Sequence, residues 1–304
     1  MSNARIISTR SWVELLILAF IWGGSFLAIR LTLNEVSVVT SVAHRVFWAA
    51  LILWGYVAMA RLPVPRDPRI WLGFFVMGIL NNVIPFSLMA WGQLYIPTGL
   101  TSVFNAGTAI FGALLAALML ADERLSLRKA IGIGIGFCGV AVAIGLDSLR
   151  DFDIRSLAQL AVIGGTISYA FASIWARVRF QGLKPQVAAA GMLTGSSLVM
   201  VPAALIIDGM PRFDIGWQAT AAIAYYVIFA TAGAYLLYYR ILAAAGAANT
   251  MIVTLLIPPV SIVLGAVVLN EVLSPNVYAG LALLALGLIV LDGRLLRRLS
   301  PSGP

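Results

Sequence analysis

Glu123-Arg124-Leu125-Ser126 opens a stretch that runs on through Gly132, Gly139 and Gly145. Glu271-Val272-Leu273-Ser274 opens a second, which runs on through Gly280, Gly287 and Gly293. Six positions match, each 148 residues from its partner. One such match is weak evidence; six in one unbroken register mark an internal repeat. At an offset of 147, Arg30 also falls on Arg177.

Around both stretches the chain is a series of long apolar runs. A bilayer core needs about 20 apolar residues per helix. Ten such spans are expected, over 12–32, 38–60, 70–94, 97–120, 128–146, 157–178, 186–207, 216–241, 246–269 and 276–293. They must be helices, because backbone polar groups find no water in lipid. The runs do not alternate as barrel strands would. The fold expected is therefore all-α and integral to the membrane. The repeat divides it into 1–147 (spans 1–5) and 148–304 (spans 6–10). Five is odd, so the second copy is inverted relative to the first, a device of transporters that open to either face.

Charge agrees. With the N-terminus placed in the cytoplasm, fifteen of the twenty Lys and Arg lie on the cytoplasmic side. Only Arg30, Arg45, Arg150, Arg155 and Arg212 fall outside or at outer helix ends. That is the positive-inside bias, and an even number of spans puts both termini in the cytoplasm. Hydrophobic residues make up 61% of the chain and charged ones 11%, where a soluble domain carries about 25% charge. The net charge of +8 is confined to short gaps between apolar runs, so a nucleic-acid surface is not indicated. The single cysteine, Cys138, sits in an apolar run and reads as packing between helices. The first apolar run is too long for the core of a signal peptide.

The chain resembles the drug/metabolite transporter superfamily, in particular its EamA-type members. Trp22-Gly23 in span 1, Arg45 in span 2 and Leu120-Ala121-Asp122-Glu123-Arg124-Leu125-Ser126 carry the likeness. So does Leu269-Asn270-Glu271-Val272-Leu273-Ser274, preceded by Pro258-Pro259. The resemblance covers nearly the whole chain and looks nearest to YddG-like exporters of aromatic amino acids. It implies ten helices in two EamA repeats, a bacterial-type inner membrane and a central cavity. The substrate and the outward direction are implied by the resemblance, not by residue chemistry. Where span 9 has Pro258, the first repeat has Ile110, so a kink is expected in span 9 alone.

The chemistry-bearing residues are few. No Asp or Glu lies near the middle of a span, and the lone histidine, His44, is near the outer end of span 2. Intramembrane charge is kept for use, so tight proton coupling through a buried carboxylate is not expected. No metal-ligand spacing, nucleophile elbow or phosphate loop appears. No cofactor, metal or catalytic residue is assigned. The partners expected are the bilayer and a small-molecule substrate such as an amino acid; a monomer fits.

Polar and aromatic residues deep in the spans are the candidate substrate contacts: Trp22, Asn81, Asn82, Phe86, Asn105, Tyr169, Tyr226, Thr254 and Pro258. The Asn81–Asn82 pair is the strongest of them, since an amide has four hydrogen-bonding positions to satisfy. The hydroxyls also have a plainer reading as interhelical bonds worth about 0.6 kcal/mol each. Pro258-Pro259 removes backbone donors and frees carbonyls near Thr254, as a hinge, a ligand contact or a packing kink. Glu123 and Glu271 read as gates at opposite faces. Arg30 and Arg177 read as gating residues or as side chains reaching headgroups. A membrane-embedded enzyme or sensor, and a channel, are the alternatives to a transporter.

Overall fold

A serine or aspartate stands immediately before five of the helices: Ser8, Ser37, Asp67, Ser126 and Asp153. Each side chain accepts an otherwise unpaired N–H of the first turn, which fixes where the helix starts. In the computed structural model, residues 8–120, 126–145, 153–211, 214–245, 250 and 253–292 are described. They form ten helical spans: α1 (Thr9–Thr32), α2 (Val38–Met59), α3 (Pro68–Gly92), α4 (Thr98–Met119), α5 (Leu127–Ile144), α6 (Ile154–Arg179), α7 (Pro185–Ile207), α8 (Trp217–Ala245), α9 (Val253–Leu269) and α10 (Pro275–Asp292). Among the described residues there is no strand. Eight spans are long and apolar enough to cross a membrane; α9 and α10 are shorter apolar helices. Described helix ends match the sequence expectation to within about a turn.

The glycines of the repeat meet each other. A Cβ on Gly132 would lie 2.8 Å from the carbonyl oxygen of Gly287, and one on Gly139 would lie 2.9 Å from that of Gly280. Gly287 would in turn approach Gly132, and Gly280 would approach Gly139. Residue 287 is the counterpart of 139, and 280 of 132. The contact is thus reciprocal: each position of one copy touches the equivalent of its neighbour in the other. That is the signature of a two-fold axis, here passing between α5 and α10 within one chain. Backbones come this close only where small residues permit it. Gly134, in the same run, has open space around its Cβ position.

The other helices follow the same exchange. α1 packs against α8 and α9, α6 against α3 and α4, and α2 against α7. Leu16, Phe20, Leu51, Leu72, Leu118 and Val267 are exposed, as a lipid-facing surface requires. One expectation changes: Cys138 is exposed, so it faces away from the packing. α9 runs as one helix through Pro258 and Pro259. α4, which has Ile110 where α9 has Pro258, breaks at Gly107, whose N–H bonds three residues back to Phe104. The Thr108 hydroxyl bonds the Asn105 carbonyl at 2.7 Å, diverting an acceptor of that turn.

Candidate functional site

Both third helices of the repeat widen into π-helix midway: α3 over Ile79–Val83 and α8 over Tyr225–Gly233. In α3 the cause is written in the sequence. The N–H of Ile84 reaches back to Ile79, and Pro85 has no N–H to offer. The Leu80 carbonyl is left to accept the Ser168 hydroxyl of α6 at 2.7 Å. In α8 no proline is involved. The N–H of Ala234 points to Phe229, and the Thr231 hydroxyl bonds the Tyr226 carbonyl five residues back at 2.7 Å. The Ala230 carbonyl accepts the Trp22 indole N–H of α1 at 3.1 Å. Such bulges gather at functional sites. Trp22 and Tyr169, the neighbour of Ser168, are equivalent at the 147 offset. The first helix of each copy therefore bonds the opened backbone of the other copy's third helix.

Between these openings lies a charge expected at the rim. Arg45 sits about two turns inside α2 and is 8% exposed. Its Nε donates to the Thr231 hydroxyl at 2.9 Å. Phe86 covers one face of the guanidinium, 3.9 Å from ring centroid to Cζ, and the Tyr226 ring stands 5.9 Å away. Tyr169, Tyr235 and Tyr226 lie within its electrostatic reach. No carboxylate lies within ion-pair distance among the described residues, nor does any acceptor for the two terminal nitrogens. A desolvated cation–π contact is worth about 2 kcal/mol, and one bond to a charged donor about 1.5–3 kcal/mol. Burying an ion costs several kcal/mol even after relaxation. The protein groups offset a burial cost of the same order, and a charge held in the membrane on such terms is a candidate for a site of use.

Arg45 is equivalent to Met192 of α7, and the second half of the site is neutral. The Asn81 amide donates to Tyr235 at 3.1 Å, to Asn82 at 3.1 Å and to the Met192 sulfur at 3.7 Å. Asn82, fully buried, donates to Ser196 at 2.8 Å and accepts from Tyr235 at 3.3 Å. Nothing among the described residues donates to the Asn81 side-chain oxygen. Aromatic rings continue outward from this cluster: Phe86 to Tyr169 at 6.5 Å, Tyr235 to Tyr239 at 6.4 Å, and Trp22 to Tyr238 at 5.8 Å. Tyr226 is fully buried, its hydroxyl at Ser41.

Six candidates are therefore brought to one region: Trp22, Asn81, Asn82, Phe86, Tyr169 and Tyr226. Asn105, Thr254 and Pro258 belong to α4 and α9, which pack on each other and are joined to the first region through α1. A Cβ on Gly23, beside Trp22, would lie 2.7 Å from the Val260 side chain and 3.1 Å from the Ile257 carbonyl oxygen. Arg30 is half-buried in the last turn of α1, and Arg177 is exposed near the end of α6. Glu123 lies outside the described residues. Among those residues, no group of three His, Cys, Asp or Glu side chains could hold a metal ion.

Glu271, at the turn between α9 and α10, reaches the other copy. Its carboxylate accepts from the Thr98 N–H at 2.8 Å, the Thr98 hydroxyl at 2.7 Å and the Gly99 N–H at 3.3 Å. It thus caps the N-terminus of α4, where a helix favours negative charge. On the same face Glu35 accepts from Gly216 at 2.6 Å ahead of α8, and Asp208 accepts from Ser37 and from Thr40 at 2.7 Å at the start of α2. Asp153 caps its own helix. The Ser156 N–H, then that of Arg155, holds its carboxyl below the usual carboxylate range. The opposite face uses an ion pair: Glu14 of α1 meets Arg240 of α8 at 3.0 Å and Arg10 at 3.0 Å.

The EamA-like transporter family matches the chain twice, over residues 11–145 and 156–291. A probable terminal-alkyne amino-acid exporter of Streptantibioticus cattleyicolor is 26% identical, the match covering 91% of each chain. A probable amino-acid metabolite efflux pump of Escherichia coli is 23% identical over 93% of this chain and 95% of its own length. A crystal structure at 18% identity superposes with a TM-score of 0.68 over 96% of this chain and 99% of its own, a likeness of fold.

Proposed function

The chain belongs to the EamA-like transporter family, and from that premise we propose that it exports small amphipathic metabolites, hydrophobic and aromatic amino acids foremost, by alternating access. The observation that carries this reading is the exchange between the two copies. Trp22 of the first copy bonds the opened backbone of α8, and Ser168 of the second bonds that of α3. Transporter sites form at such a repeat interface, beside discontinuous helices. A rocking of one copy against the other exposes the same groups to either face. Two relatives named for the export of amino acids or their metabolites support the substrate class.

In this reading Trp22, Phe86, Tyr169 and Tyr226 receive the apolar side chain. The Asn81 oxygen, with Asn82 behind it, takes the ammonium group. Asn105, Thr254 and the backbone around Pro258 line the path between α4 and α9. Glu271 seals one face by capping α4, and Glu123 performs the equivalent task at the other. Arg30 and Arg177 flank the openings. The copies divide at about residue 147, and the protein lies in a bacterial-type inner membrane with both termini in the cytoplasm.

Counterflow in proteoliposomes tests this. Labelled phenylalanine should exchange against unlabelled phenylalanine with saturation, and leucine and tryptophan should compete. Unsaturable flux without exchange would point to a channel, and absence of flux with every amino acid tried would overturn the substrate class.

A further inference from the structure

We infer that the free edge of the Arg45 guanidinium binds the carboxylate of the transported molecule, so that an anionic group is a requirement of the substrate and Arg45 sets its orientation. This rests on the proposed transport function and adds a recognition element to it.

Three observations lead here. Arg45 is buried, yet among the described residues only its Nε has a protein acceptor, Thr231. Phe86 occupies one face of the guanidinium plane, so a ligand reaches the cation edge-on through its two terminal nitrogens. That approach suits a planar carboxylate, which accepts two parallel bonds. Finally, the equivalent position in the second copy is Met192, beside the Asn81 amide, so the cation has no twin. A single positive charge matches a single carboxylate; a dianionic phosphate would lack a second cation. His44, the neighbouring residue, turns toward Trp48. The site is thus polar end to end, with the acid at α2 and α8 and the amine at α3.

The test separates recognition from transport. Melting of the purified full-length protein in detergent is followed with phenylalanine, 3-phenylpropionate, phenethylamine and phenylalaninamide. Both acids should raise the melting temperature; the amine and the amide should not. Arg45→Gln and Arg45→Met should lose the acid preference, with affinity roughly 10- to 100-fold weaker, while Arg45→Lys keeps part of it. The wild-type panel stands even if a variant fails to fold. Equal stabilisation by acid and amine, none by either acid, or an acid preference kept in Arg45→Gln would overturn the inference. Acid-selective stabilisation without amino-acid counterflow would uphold it and refute the proposed substrate class.

Discussion

The two copies agree where they hold the protein together and differ where they face its centre. Along α5 and α10 the same glycines recur and meet reciprocally, Gly132 with Gly287 and Gly139 with Gly280. At the centre the equivalents diverge: Arg45 against Met192, and Asn81-Asn82 against Ile228-Phe229. Even the helix pairs α1–α8 and α6–α3 differ. The first is joined by Glu14 and Arg240, whereas position 93, the equivalent of Arg240, is a buried Gln. Gln93 bonds the Phe26 carbonyl at 3.3 Å, and its side-chain oxygen has no partner among the described residues. In the proposed mechanism, symmetry in the scaffold would allow two equivalent closures, and asymmetry in the site would let one ligand bind in one orientation. The two demands are met by different residues, so they can be broken separately.

The largest effect is expected from the scaffold. Gly139→Leu places a side chain against the backbone of α10, since a Cβ there lies 2.7 Å from the Leu284 nitrogen. Overpacking costs about 1–3 kcal/mol even where side chains can yield, and backbone yields less. Size-exclusion chromatography should show loss of the monodisperse protein. Gly134→Leu, in the same run but facing open space, should elute as wild type.

Next comes the site. Arg45→Met makes the first copy like the second; counterflow should fall by about 10- to 100-fold while the elution profile holds, given bonds to charge of about 1.5–3 kcal/mol. Met192→Leu, a volume-conserving change in the second copy, should alter transport less than about threefold.

Smaller again are the crossed hydrogen bonds. Trp22→Phe and Ser168→Ala should each lower stability by about 0.6 kcal/mol, read from melting in detergent, and by similar amounts because each removes one bond from a first helix to the opened backbone of the other copy's third helix. A much larger loss for one alone would show that one copy anchors the other.

The smallest effect is local. The Asp153 carboxyl is held below its ordinary value by N–H groups of its own helix, so it favours the folded end above the usual carboxylate range. That contribution should vanish as pH falls through the depressed value. Protection of the Arg155 and Ser156 amides, relative to their intrinsic exchange, should then fall on acidification, and Asp153→Asn should remove that loss.

Most of the frame was legible in the sequence, because span length and glycine spacing are set by the bilayer and by backbone approach, which leave periodic marks. Asn81-Asn82 followed by Pro85 carried a local signal, and it fell on the π segment of α3. The π segment of α8 had no such mark, having Ala232 where α3 has Pro85. By sequence Arg45 reads as a rim charge, since a charge near a helix start has no sidedness in one dimension. Its place depends on Phe86, from another helix, and on Thr231, 186 residues away. The sequence places Glu271 at a helix end, but its partners Thr98 and Gly99 lie 173 and 172 residues away, a pairing only the fold makes.

One measurement bears most directly on two inverted copies that seal a common site in turn. In a Cys138→Ser background, Asn81→Cys is labelled by a membrane-impermeant thiol reagent added to either face, with Glu271 intact or changed to Ala. Removing the cap on α4 should raise labelling from the face that carries Glu271 and lower it from the opposite face in step. Labelling that rises from both faces together, or stays unchanged at both, would contradict the account.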